Sequence, residues 1–194
     1  MILNKIKHLI LLTLVVSIFG CSSETEYAKV VDNELATGVR NDTLILGFHF
    51  GMPEQEFYAT CWDFNQKGII KEGYTNVTVY YPLQGLKHQA FFDFFPIFKN
   101  GKIQSIEGYT MYKGWAPWNK DLWADKLIED TRALLERSFK GNQFFPLKSL
   151  GLGTAYAKID GNRRIVLYYT EDSRVNVLFS DLTNEDSKLT IERG

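Results

Sequence analysis

Metal-binding and thiol side chains are scarce in this chain of 194 residues, which has two cysteines and three histidines. Beyond the N-terminal segment only His49 and His88 remain, and neither has a partner at the spacing of a zinc-binding helix. Cys21 and Cys61 lie too far apart in sequence to form a ligand pair motif. We therefore expect no metal and no other cofactor.

An excess of one charge is also missing, because 22 lysines and arginines face 23 aspartates and glutamates, for a net charge of −1. The basic residues form no cluster along the chain. Nucleic-acid binding depends on a basic surface that contacts phosphates. The composition therefore argues against a nucleic-acid partner.

Catalytic motifs are absent as well. The chain has no G-x-S-x-G elbow, and the glycine-rich residues 151–153 precede a predicted strand. A phosphate-binding loop would instead join a strand to a helix. The candidate acid–base residues are Asp93, Glu107 and His49. Nothing else supports catalysis, and we expect a protein that is not an enzyme.

The first twenty residues have the layout of a secretory signal, with Lys5 and Lys7 before an apolar stretch at 9–19. That stretch is too short for a permanent membrane span. The ending Ile-Phe-Gly-Cys at 18–21 resembles the lipobox of bacterial lipoproteins. The resemblance implies cleavage before Cys21, a diacylglycerol on its sulfur, and a fatty acyl group such as palmitate on the new amine. An ordinary signal followed by a chance cysteine is the alternative.

Three parts are expected along the chain: a signal peptide at 1–20, a flexible tether at 21–42 and one domain at 43–194. The tether is predicted because its residues are mostly polar with scattered apolar ones. Ser22 follows the cysteine, where an aspartate would indicate inner-membrane retention, so the outer membrane is favoured. Cys61 lies on one helical stripe with Phe57 and Phe64, which predicts a buried, inert thiol.

Hydrophobic periodicity predicts an α+β domain with an antiparallel sheet and two helices. The order is β-α-βββ-α-βββ, which suggests a tandem α-βββ repeat. Predicted helices cover about 53–67 and 119–140. Predicted strands cover residues 43–50, 77–83, 90–98, 103–112, 154–159, 163–170 and 174–180.

The sequence GMPEQEF at residues 51–57 resembles the pattern that opens the first helix in two related groups. These are small outer-membrane assembly lipoproteins of the SmpA/OmlA type and β-lactamase-inhibitor-protein-like domains. The inhibitor-like fold uses a helix-plus-strands unit twice around an antiparallel sheet. The resemblance also implies protein binding through the sheet surface, without assigning any binding residue.

The strands at 90–98 and 103–112 form the clearest hairpin, joined by Asn100 and Gly101. A register centred on this turn places Asp93 opposite Gly108 and makes both faces apolar. Either the second face is covered by loops or it is a binding surface. Asp93 is either a buried acid with a raised pKa or an aspartate that bonds to nearby backbone. Pro96 indicates an edge or a β-bulge.

Aromatic residues crowd the segment after this hairpin, where Tyr112, Trp115, Trp118 and Trp123 follow Tyr109. Such side chains either fill the junction with the next helix or form a contact surface. Our first hypothesis is a lipid-anchored envelope protein that binds another protein through the sheet face and this loop. The alternative is a surface lipoprotein that stacks these rings on carbohydrate.

Overall fold

The computed structural model describes residues 26–75, 77–147 and 154–184. Within them lie three α-helices and one eight-stranded antiparallel sheet, so the α+β class is confirmed. The helices are α1 (Glu26–Ala36), α2 (Glu54–Gln66) and α3 (Ala124–Ser138). The strands are β1 (Lys71–Glu72), β2 (Val79–Leu83), β3 (Ala90–Lys99), β4 (Lys102–Tyr112), β5 (Phe145–Pro146), β6 (Ala155–Asp160), β7 (Arg163–Tyr168) and β8 (Arg174–Asp181). The signal peptide, Cys21 and residues 151–153 lie outside the described residues.

The strand order is β1-β2-β3-β4-β8-β7-β6-β5. Each half of the sheet is a four-stranded antiparallel meander, and β4 pairs with β8 where the halves meet. One helix precedes each meander, α2 before β1 to β4 and α3 before β5 to β8. Both halves therefore lie in one continuous sheet, and we call the face that α2 and α3 cover the helical face.

The main core lies between this helical face and helices α2 and α3. Leu127, Ile128 and Leu135 of α3 are buried with Ile106 of β4 and Phe179 of β8. Each fully buried side chain of this size contributes about 1.5–3 kcal/mol relative to exposure. The hydroxyls of Thr110 and Thr131 bond to each other at 3.1 Å inside this core.

Both predicted helices are present. Pro53 immediately precedes α2, where Glu54 and Glu56 favour the positive helix end, and Gly68 follows with φ 69°. In α3 the buried residues form one stripe, and the helix begins at Ala124, later than predicted; the stripe consists of Ala124, Leu127, Ile128, Thr131 and Leu135. A single turn of 3₁₀ helix at Lys120–Leu122 occupies the residues before it.

The hairpin turn is also confirmed, because Asn100 and Gly101 both have positive φ angles of 52° and 70°. Its predicted register holds only near the tip, where Phe98 pairs with Ile103. Ile97 then pairs with Ser105, so Gln104 forms a β-bulge and every later pair is shifted by one residue. The prediction that Asp93 faces Gly108 was therefore wrong, and Asp93 lies opposite Tyr109.

The predicted first strand at 43–50 was wrong. Leu46 and Gly47 both adopt positive φ angles, 59° and 80°, which turn the chain back on itself. Thr43 then bridges His49, and the backbone N–H of Leu44 donates to the carbonyl of Phe48 at 2.7 Å. Leu44 and Phe48 are buried, so the alternating apolar residues fill the core from a tight loop.

The number of helices was also predicted wrongly, because the described part of the expected tether contains α1. Val31 is buried against Ile159 and Leu182, and Nη1 of Arg164 donates to the hydroxyl oxygen of Tyr27 at 2.9 Å. Glu34 accepts the backbone N–H of Gly161 at 2.8 Å. One narrow apolar strip on a polar helix is enough for docking when a folded sheet supplies the partner.

Two short strands, β1 and β5, were not predicted. Each has two residues at an outer edge of the sheet, which is too short to produce a hydrophobic period. Their pairing partners β2 and β6 hold them in place. In the part of the chain that the structure describes, no helix has the length and apolar character needed to span a membrane.

Close approach of β3 and β4 requires the absence of a side chain at position 108. A Cβ atom on Gly108 would lie 2.7 Å from the Cα of Phe94 and would also collide with the carbonyl of Asp93. We expect Gly108→Ala to lower the free energy of unfolding by about 1–3 kcal/mol because the strands must separate. Urea denaturation followed by circular dichroism measures this change, and an unchanged midpoint would contradict the close strand contact.

Candidate functional site

The sheet face opposite α2 and α3 is only partly covered. Helix α1 packs over one side at β6, and Tyr74 covers the other side with its ring 5.5 Å from that of Phe91. Half-buried side chains of β3, β4, β7 and β8 lie between these two covers. We name this region the open face, and its residues are Phe95, Glu107, Tyr109, Tyr168, Asn176 and Leu178.

The open face contains a shallow depression of about 240 Å³. Strand register builds it, because Glu107 lies opposite Leu178 and Asn176 lies opposite both Tyr109 and Tyr168. Small-molecule sites usually enclose about 300–1,000 Å³. The depression is smaller than that range, and its size suits one protruding side chain or one sugar ring.

Polar groups of the open face are available to a ligand. Within the described parts of the chain, no hydrogen bond or ion pair engages the side chains of Glu107, Tyr168 or Asn176. A carboxylate, a phenol and a carboxamide are thus grouped beside apolar ring surfaces. This combination is typical of binding surfaces that are selective as well as apolar.

Burial shapes the electrostatics of this face. Burial raises the pKa of the Glu107 carboxyl above its ordinary value of 4.5. Burial also raises the pKa of the Tyr109 phenol, and the nearby Asp93 adds to that effect. The guanidinium of Arg174 lies 5.2 Å from the Tyr109 ring centre and acts in the opposite direction on that phenol.

Aromatic rings pack together on the side of this face that Tyr74 covers. The Tyr80 and Phe91 rings stack with centres 4.9 Å apart, and Tyr109 meets Phe91 edge-on at 6.2 Å. The ammonium of Lys113 lies 5.8 Å from the centre of the Tyr80 ring. These contacts restrain Tyr109, so a ligand would meet a ring whose orientation is already set.

Asp93 has a structural role beneath these rings. It is 2% exposed, and its Oδ2 accepts the backbone N–H of Tyr74 at 3.0 Å. The bond to nearby backbone that the sequence suggested is therefore present, and the carboxylate is also buried. The bond fixes the segment that carries Tyr74 over the sheet, and Gly73 has no room for a side chain beside this carboxylate.

The three tryptophans of the predicted contact loop differ in their environments. Trp118 is 85% exposed. Trp115 packs partly against the core, and its indole N–H donates to the carbonyl of Asp172 at 2.9 Å. Trp123 is half-buried at the start of α3, with Lys120 5.4 Å from its ring centre. Trp115 and Trp123 thus hold the loop in place, and Trp118 alone projects from it.

Tyr112 and Tyr109 point to opposite sides of β4. Tyr112 is 1% exposed on the helical face, where its hydroxyl donates to Asp130 at 2.7 Å. Burial, reinforced by this carboxylate, raises the pKa of the Tyr112 phenol. The expectation of Tyr112 as a surface residue was wrong, because it is buried where α3 packs on β4. Tyr109 lies on the open face, where a residue of the predicted contact surface has to be.

The three candidate acid–base residues do not form one site. Glu107 and Asp93 share the open-face side of the β3–β4 pair. His49 lies in the loop beside α2, with its Nε2 4.0 Å from Glu56. Since α2 covers the other side of the sheet, His49 is separated from the two carboxylates by the sheet itself.

The described residues offer neither a cluster of metal ligands nor a reactive thiol. No group of three or more histidine, cysteine, aspartate or glutamate side chains in these ranges is placed to hold a metal ion. Cys61 is half-buried against the core, and burial raises the pKa of its thiol to about 11. A thiol with that pKa is largely protonated near neutral pH, as expected for the inert cysteine predicted from its helical stripe.

Several exposed or open-face residues were missed by sequence reasoning. Tyr168 and Asn176 were counted only as parts of strands, because the sequence does not show that β8 pairs with β4 and β7 with β8. Tyr58 and Trp62 are 57% and 68% exposed on α2. Their spacing of four residues, beside the stripe of Phe57, Cys61 and Phe64, was a signal that could have identified them.

Comparison with known proteins does not assign the chain to a family: no family model, curated protein or solved structure matches it.

The raised pKa of Glu107 predicts a pH-dependent stability. Ionisation is harder in the folded protein than in the unfolded chain, so stability falls as pH rises from about 4.5 through the raised pKa. We expect Glu107→Gln to be more stable than the parent at neutral pH, with a difference that shrinks as the pH falls through this window. Urea unfolding at a series of pH values measures this, and a pH-independent difference would contradict the desolvated carboxyl.

Proposed function

We propose that this protein is a lipid-anchored component of the bacterial cell envelope that binds another protein, without catalysis, through its open face. The observation that carries the proposal is the depression formed by Glu107, Tyr109, Tyr168 and Asn176 on an uncovered part of the sheet. A sheet buried on both faces would not need unpaired polar side chains at this place.

The size and chemistry of the depression favour a protein partner. A volume of about 240 Å³ accepts a single protruding side chain, and aromatic side chains are enriched where protein interfaces are strongest. The unpaired carboxylate of Glu107 would suit a partner residue with a cationic or hydrogen-donating head. Trp118, in the loop that follows β4, would extend the contact surface at the same end of the sheet as Tyr168.

Element order supports a second part of the proposal, that the two halves are copies of one unit. An α-helix precedes four antiparallel strands in each half. This arrangement agrees with the helix-plus-strands unit that the resemblance of residues 51–57 implies, with four strands in place of the predicted three.

Carbohydrate binding is the second candidate function. The observation that favours it is the grouping of the Tyr109 and Tyr168 rings with a carboxylate and a carboxamide, since sugars stack on rings and bond to such groups. The depression would then hold one sugar unit of a longer glycan.

Variants of the open face test the binding proposal. The mature protein, solubilised from native membranes, serves as bait, and the affinity of any captured stoichiometric partner is then measured with purified components. We expect Trp118→Ala and Tyr168→Ala each to weaken binding at least about tenfold, because aromatic side chains are typical interface anchors. Trp62→Ala removes another exposed ring, on α2 across the sheet, and should leave binding unchanged.

The outcomes separate the two candidates. Loss of a protein partner in the open-face variants, with Trp62→Ala normal, supports protein binding. Loss of binding to purified envelope glycans in the same variants supports the carbohydrate alternative. Loss in Trp62→Ala alone would place the contact surface on α2 and overturn both assignments to the open face.

Lipid anchoring is tested at Cys21, the cysteine of the predicted lipobox. We expect the N-terminal peptide of the mature protein to begin at Cys21 and to carry diacylglycerol and acyl mass, because several acyl chains give stable anchoring. Cys21→Ser should abolish this modification and the membrane association, whereas Cys61→Ser should retain both. Mass spectrometry and membrane fractionation measure these results, and an unmodified Cys21 in the mature protein would refute the anchor.

A further inference from the structure

A second and larger groove lies on the helical face of the sheet, away from the open face. Its volume is about 600 Å³, and it runs between residues 41–46 and the C-terminal half of α3. Leu83 of β2 lines one part and Arg163 of β7 lines another. These strands are four positions apart in the sheet order, roughly 19 Å at the usual strand spacing. The groove is therefore elongated, with a volume in the range of small-molecule sites.

The groove combines apolar walls with positive charge. Leucines and aromatic residues make up half of its lining residues, among them Leu44, Leu83, Leu134 and Phe139. Lys140 and Arg163 are the charged side chains of the lining, and no described acidic residue joins them there. An elongated apolar surface with cations and no carboxylates complements a ligand that has a long apolar part and an anionic end.

Arg163 retains one unused donor in this setting. Its side chain is 5% exposed, its Nη1 donates to the carbonyl of Thr43 at 2.9 Å, and its Nη2 donates to Asp160 at 3.2 Å. Its Nε has no hydrogen-bond partner among the described residues. A buried donor without an acceptor is unfavourable, so an oxygen that accepts from Nε would be stabilised.

The surrounding charges hold Arg163 in place without supplying that oxygen. Asp160 is shared between Arg163 and Lys158, whose Nζ lies 3.0 Å from its Oδ2. Asp42 and Asp181 both bond to Arg40. The guanidinium of Arg163 also stacks over the Phe139 ring at 4.7 Å, which joins the cation to the apolar wall of the groove.

We propose that this groove binds a single-chain amphiphile with a carboxylate head, of the long-chain fatty-acid class. The hydrocarbon chain lies against the leucine wall of α3 and the 41–46 segment. The carboxylate lies where Arg163 and Lys140 line the groove, because both side chains supply positive charge there. The site is independent of the proposed function, since it lies on the opposite side of the sheet.

Photocrosslinking of the full-length protein in isolated membranes tests this assignment. The probes are a long-chain alkynyl diazirine carboxylic acid and the alcohol of equal length. We expect the acid to label peptides that contain residues 41–46 or 134–140, with a yield about tenfold above that of the alcohol, because only the acid makes a charge-assisted bond. Excess unlabelled fatty acid should suppress the labelling.

Matched variants locate the site. Ser138 lines the groove from an exposed position, so Ser138→Trp should fill it and lower labelling by the acid about tenfold. Ala133→Trp adds the same ring to an exposed position of α3 outside the groove and should leave labelling unchanged. Lys140→Gln should reduce labelling by the acid and leave labelling by the alcohol unaffected.

Three results would overturn the proposal: labelling spread over the apolar surface, labelling insensitive to Ser138→Trp, or equal labelling by the acid and the alcohol. Because the crosslink requires no protein partner or glycan, loss of open-face binding would leave it unchanged. The two experiments therefore distinguish a failure of the fatty-acid site from a failure of the open-face proposal.

Discussion

Seven residue pairs between β4 and β8 join the two halves of the sheet, and both faces of the molecule depend on that pairing. On one side it places Ile106 against Phe179, where α3 completes the core. On the other it places Glu107 beside Leu178 and Tyr109 beside Asn176. Because neighbouring residues of a strand point to opposite faces, the same pairing builds the core and the open face together. A shift of one residue here would exchange the two sets of side chains.

The two faces present different surfaces to a ligand. The open face is shallow and carries polar groups without partners, which suits a macromolecular surface that brings its own side chains. The groove on the helical face is larger and combines apolar side chains with two cations, of which Arg163 is held by Thr43 and Asp160. Helix α1 does not reach this groove, because it packs on the other side of the sheet at β6. One continuous sheet thus separates the open face from the groove.

Local patterns predicted the elements that carry their own signals. The helix after Pro53, the apolar stripe of α3 and the Asn100–Gly101 turn are all present, since capping, periodicity and left-handed turn residues act within a few positions. Predictions failed where a distant contact decided the outcome. Residues 43–50 alternate like a strand, yet a turn at Leu46 and Gly47 sends their apolar side chains into the core. Helix α1 is mostly polar and depends on contacts with Ile159 and Leu182, far along the chain.

In the candidate site, too, local patterns predicted some features and distant contacts decided the others. The sequence by itself determined the α+β class, the alternating aromatics of β3 and β4, and the crowding of tryptophans after the hairpin. Only the tertiary structure decided that Tyr112 is buried, that Trp118 alone projects, and that Tyr168 and Asn176 join Tyr109 on one surface. A bulge at Gln104 made the difference, because one unpaired residue reverses the facing of every later pair in the hairpin. The strand order then places β8 beside β4 and β7 beside β8. No local pattern in the chain predicts which strands become neighbours.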